Sequence, residues 1–228
     1  MKFIALEELG VGRETIYRGL PNYPSRLATF LGDQAPATIW IAGNPDILRR
    51  VDSGAASSLA LIASVRSPVP MLNLLLSLMQ PVSKANITFV GGFHAPLERR
   101  CLDLLLKTDQ QALICLARTL VSARVPSHWH RPLAEGRLLI LSPFPGSLRR
   151  PTAESARVRN ECVAALASCF LIPHASPGSK TELQARVLVN QGRPVWTLDH
   201  PANGILQQLG ARPAGAGFLE EIRKSKRP

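Results

Sequence analysis

The 228-residue sequence is poor in acidic side chains: 16 aspartates and glutamates stand against 27 lysines and arginines, a formal net charge of +11 at pH 7. Such an imbalance makes a polyanion the expected partner, nucleic acid or a phosphorylated ligand, because net charge speaks to partners and not to fold. Cysteine is scarce as well. Cys101, Cys115, Cys162 and Cys169 lie in apolar runs without CxxC spacing, which marks small core residues and argues against a disulfide framework or thiolate metal site. No uncharged apolar run reaches the ~18 residues of a membrane span. Glu7 and Glu8 interrupt the amino-terminal stretch where a secretory leader keeps an unbroken apolar region, so the expectation is a cytoplasmic protein with no membrane partner. The GxxxxGK[ST] spacing is missing, and P-loop triphosphate hydrolysis is not expected. His128 and His130 have neither a cysteine nor an acidic residue beside them. No metal and no cofactor is expected.

What is present is a hydrophobic fraction of 46%, enough for a substantial core. From Arg137 to Leu198, short apolar runs alternate with amphipathic segments, and that alternation predicts βαβ units: an α/β fold with a mainly parallel sheet and helices on both faces. Strands are expected at TIWIAG (38–43), LALIAS (59–64), NITFV (86–90), QALICLA (111–117), 137–142, 169–173 and 193–199. Residues 118–135 show no period and read as an irregular excursion. Three parts are expected: a lead-in over 1–54 packed on the core, a main domain over 55–212, and a mobile basic tail over 213–228.

Open α/β sheets bind ligands beyond the carboxyl ends of their strands, and the candidate residues fall there. The helix after Thr152 presents Arg157, Arg159 and Asn160 in a polar first half; asparagine is a mediocre helix former, so its place among two arginines points to function. The turn Ser176–Glu182 carries Ser176, Gly178, Ser179, Lys180 and Thr181, with Ser179 and Glu182 at capping-box spacing. Amide donors and the helix dipole then face a ligand beside three hydroxyls and a lysine, an arrangement suited to an anion. Gly91-Gly92 follows a strand, where glycine serves either a close backbone approach to a ligand or a positive φ.

These motifs, in this order, resemble the DprA/Smf family of DNA-processing proteins, within the Rossmann-like superfamily shared with LOG-type nucleotide phosphoribohydrolases. Ser64-Val65-Arg66 stands where that family has Gly-Ser-Arg, Val90-Gly91-Gly92 resembles its Ser-Gly-Gly loop, and VRNECVAALAS resembles its RNR-containing helix. PGSKTELQARVLVNQGRPVW resembles its GSL-x-T-A…GR-x-V segment, and Asn203 with Leu206 its closing helix. The resemblance spans about residues 20–212. It implies a Rossmann-like fold, a usual homodimer, a recombinase as a protein partner, and one pocket for single-stranded DNA phosphates at Ser64, Arg66, Gly91, Gly92, Arg159, Asn160, Ser179 and Lys180. PGSKTE also resembles the PGGxGTxxE loop of the LOG-type enzymes, with Ser179 and Lys180 replacing glycines. That alternative implies a nucleotide ligand and a catalytic Glu182, with Glu98 a second acidic candidate.

Overall fold

Short runs of β-branched and aliphatic residues alternate with helices along most of the chain, as the hydrophobic pattern requires. The computed structural model describes residues 2–79, 87–215 and 217–224. In chain order the elements are β1 (Phe3–Ala5), β2 (Arg13–Tyr17), α1 (Ser25–Leu31), β3 (Thr38–Gly43), α2 (Pro45–Asp52), β4 (Ser57–Leu61), α3 (Val69–Met79) and β5 (Ile87–Gly91). There follow α4 (Pro96–Lys107), β6 (Gln111–Cys115), β7 (Arg124–Pro126), α5 (His130–Ala134), β8 (Leu138–Ser142) and α6 (Ala153–Leu166). The last are β9 (Cys169–Leu171), α7 (Lys180–Asn190), β10 (Val195–Leu198), α8 (Gly204–Gln208), β11 (Arg212–Ala214) and α9 (Phe218–Lys224). Asn86, expected to open β5, and residues 225–228 of the expected tail lie outside the described residues.

The chain packs as two units. The first takes in Met1–Ala56, Val90–Gly92 and Gln111–Leu166, the second Ser57–Phe89, Phe93–Gln110 and Ala167–Pro228. The first unit thus draws on two later segments besides the chain up to Ala56.

In the first unit the strand order is β6-β8-β3-β2. β6 and β8 are parallel, with Ala112 opposite Leu138, while β3 runs antiparallel to both β8 and β2. Every residue of β8 is buried, which requires cover on both faces of the sheet. α1 packs on α6, and α2 on β6 and β8. Asn44 caps α2 by accepting a hydrogen bond from the Asp46 amide at 3.0 Å, with Pro45 in the first turn.

In the second unit β11, β10, β9 and β4 are consecutive and parallel. β4 and β10 are buried at every residue. The mainly parallel, doubly covered, Rossmann-like α/β architecture is thus the one expected.

Three local expectations are corrected. The lead-in holds a further sheet strand, β2, because Thr15, Ile16 and Tyr17 pair with β3 despite flanking charges. The excursion at 118–135 contains β7, paired antiparallel with β1, and the short helix α5. The chain past Arg212 is no mobile tail as far as Lys224: β11 extends the parallel sheet, and α9 buries Phe218 and Ile222, with the Phe218 ring edge-on to Trp196 at 5.6 Å. Spacing of four residues puts that apolar pair on one helical face, which the surrounding charges conceal in the sequence.

Candidate nucleic-acid interface

α6 begins where Thr152 and Ser155 cap one another: the Ser155 amide donates to Thr152 Oγ1 at 3.0 Å and the Thr152 amide to Ser155 Oγ at 2.8 Å. One turn on, Arg159 is only 4% exposed. Its Nε donates to Asn160 Oδ1 at 2.7 Å, and among the described residues its guanidinium has no carboxylate partner and no other hydrogen bond. A buried cation without a counter-charge is costly by several kcal/mol.

The neighbouring Cys115 thiol does not supply that charge. A hydrogen bond with Cys162, followed by burial, holds the Cys115 thiol well above its ordinary range, so it stays neutral although the Arg159 charge pulls the other way. Gly92 faces the same guanidinium. A Cβ there would lie 2.0 Å from Arg159 Nη1 and 2.5 Å from Cζ. Glycine is needed here for close approach and not for a positive φ, and the approaching group is the arginine.

Arg157, two residues away and so about 200° around the helix, is in a different setting. It is exposed, hydrogen-bonded to Glu154 at 2.6 Å and paired with Glu161. The hydrogen bond and charge of Arg157 hold the Glu154 carboxyl below its ordinary range. The structure thus brings Gly92, Arg159 and Asn160 together and sets Arg157 apart from them.

In the second unit the loops after β4 and β9 meet. The Ser176 amide donates to Ser64 Oγ at 3.2 Å, Ser176 Oγ to the Arg66 carbonyl at 3.3 Å, and the hydroxyls of Ser64 and Ser179 are 3.3 Å apart. Ser179 caps α7, accepting from the Glu182 amide at 3.2 Å. Gly178 turns the chain at φ +70°, a conformation that suits glycine. Lys180 and Arg66 are exposed, and Thr181 is half-buried at the first turn of α7.

Both candidate acids are engaged. Glu182 accepts from the Gly178 amide at 2.7 Å and from Arg186 at 3.1 Å. Glu98, 2% exposed, accepts from the amides of Ala63 at 2.8 Å, His94 at 2.9 Å and Ala95 at 3.3 Å, tying the loop after β4 to the start of α4. These bonds cap helices and fix loops. The sequence did not single out His174, which is buried in the loop three residues beyond β9. Its Nδ1 lies 2.9 Å from Asn203 Oδ1, and Asn203 Nδ2 donates to the carbonyls of Pro173 and Leu198. Because that amide is committed as donor, His174 must donate through Nδ1, an arrangement that steadies the entry to the Ser176 turn. Among the described residues no group of three or more His, Cys, Asp or Glu could hold a metal ion. No helix among them is long and apolar enough to cross a membrane.

With this geometry in view, comparison with known proteins is decisive for the family. The family model described as DNA recombination-mediator protein A matches residues 14–213. The chain belongs to that family. Among solved structures it is similar to DNA processing protein A (DprA) from Streptococcus pneumoniae, with TM-score 0.74 and 16% identity over 91% of this chain and 73% of that one. It is also similar to DNA processing protein A from Helicobacter pylori, whose structure is described as showing a unique single-stranded DNA binding mode, with TM-score 0.72 and 18% identity over 95% of this chain and 98% of that one. At these identities the likeness establishes the shared fold. No curated protein matches the chain by sequence.

Proposed function

We propose that this protein binds single-stranded DNA through its backbone phosphates, as a DNA-processing factor of the cytoplasm without chemistry of its own. One observation carries the reading: Arg159 is buried, cationic and without a carboxylate partner among the described residues, with Gly92 making room for its guanidinium. A phosphate oxygen supplies the missing charge and takes a bidentate pair of N–H donors. Within the second unit, Arg66, Lys180 and the hydroxyl and amide groups of Ser64, Ser176, Ser179 and Thr181 form a separate and weaker anion site beside the α7 dipole. Family membership, the net charge of +11 and the description of the Helicobacter pylori protein support the same ligand.

A second copy of the chain and a recombinase are the protein partners within this reading, checked by sedimentation with and without DNA and by co-purification with the recombinase. The ligand itself is tested by anisotropy of a labelled oligothymidylate, with mononucleotides as competitors. Arg159→Ala is expected to weaken binding by ten- to a hundredfold, the worth of a charge-assisted hydrogen bond of about 1.5–3 kcal/mol. Unchanged affinity, or equal competition by free mononucleotides, would overturn the reading.

A further inference from the structure

The first unit has a second set of cations at its strand ends. β6 and β8 are parallel neighbours, so the loops that leave them emerge on one edge. Three bonds fasten these loops: the Thr119 amide donates to the Leu148 carbonyl at 2.7 Å, Ser142 Oγ to the Arg118 carbonyl at 2.7 Å, and Ser155 Oγ, from the first turn of α6, to the Ala117 carbonyl at 2.7 Å. The last bond joins this edge to the helix that carries Arg159, one turn further on. On the fastened loop Arg149 and Arg150 are both exposed, and among the described residues neither side chain has a hydrogen bond or ion pair. Neither loop, 116–123 or 143–152, contains an acidic residue. Val121, 49% exposed, and the partly exposed Phe144 lie on the same two loops.

Cations on a held backbone, interleaved with apolar surface on loops that carry no acidic residue of their own, form the kind of track that sequence-tolerant single-strand binding uses, although the Glu7 carboxylate accepts from the Ser122 amide on the first of them at 3.3 Å. We propose that the single strand continues from Arg159 over the loop 143–152, where Arg149 and Arg150 each take a further backbone phosphate. This rests on the proposed DNA-binding function and extends it: the bound segment is longer than Arg159 alone would hold, and affinity grows with oligonucleotide length until this loop is covered.

The experiment compares oligothymidylates of roughly 6 and on the order of 20 nucleotides, one near the short end of known single-strand site sizes and one beyond the long end, for wild type, the Arg149→Ala/Arg150→Ala double variant and Arg131→Ala. Arg131, paired with Glu135 ahead of β8, controls for charge alone. The double variant is expected to bind the long strand roughly tenfold more weakly and the short one almost unchanged. Its salt slope on the long strand should be lower by about 1.4, or 0.7 for each phosphate no longer neutralised. Equal weakening at both lengths, or weakening no greater than that of Arg131→Ala, would overturn the extended track while leaving the Arg159 site standing. Failure of the wild type to bind either strand would remove the reading beneath it as well.

Discussion

The two clusters of candidate residues are built differently. In the second unit the groups at the start of α7 largely satisfy one another: Ser64, Ser176 and Ser179 share hydrogen bonds, and Glu182 ties down Gly178. In the first unit a buried guanidinium donates one bond to a neutral amide and meets no carboxylate among the described residues. A satisfied network fixes a loop and has limited capacity left for a ligand, whereas an uncompensated buried charge favours whatever anion neutralises it. Binding energy should therefore be concentrated at Arg159, and the α7 turn, taken by itself, should be the weaker site.

That contrast can be broken by substitution. The largest effect is expected for Arg159→Ala, with Arg159→Lys recovering only part of the affinity, because a point-charge ammonium lacks the planar fork; titration with oligothymidylate checks both. Next comes Gly92→Ala. Its methyl would stand 2.0 Å from Nη1, so the guanidinium must move, and DNA affinity should fall by at least tenfold while the far-ultraviolet circular dichroism stays that of the wild type. Smaller reductions, about two- to fivefold each with a salt slope lower by about 0.7, are expected for Arg66→Ala and Lys180→Ala. Should either exceed Arg159→Ala, the ranking of the clusters is reversed. Smallest is Arg157→Ala, which removes exposed, solvent-screened ion pairs to Glu154 and Glu161 that contribute little to stability and should leave binding within twofold.

Much of the fold was legible because buried parallel strands are nearly continuous apolar runs. TIWIAG became β3 residue for residue, and the expected strand over 137–142 became β8 with its start shifted by one residue. β2 was not legible, since RETIY places a single buried isoleucine among exposed and partly exposed neighbours, as an edge strand can. α9 escaped notice for a related reason: its two buried residues sit in a strongly charged sequence. At the site, the capping-box spacing of Ser179 and Glu182 correctly signalled a helix start. What no local pattern revealed was the difference between Arg157 and Arg159. Both stand in the polar half of one helix, and only the packing of Gly92, 67 positions earlier in the sequence, shows which of them is enclosed. Glu98 likewise resembled a catalytic candidate in sequence but serves as a buried acceptor for three backbone amides.

The most direct test is Arg159→Met, which removes the charge while keeping an unbranched side chain in the same space, with thermal unfolding and oligothymidylate binding measured on the same preparation. If Arg159 is an uncompensated cation held for a phosphate, the ligand-free variant should melt at the same temperature as the wild type or higher, since a buried charge has been replaced by an apolar group, while DNA affinity falls by at least tenfold. A variant that melts markedly lower yet binds the strand as tightly as the wild type would show that Arg159 supports the fold and not the ligand, contradicting the account.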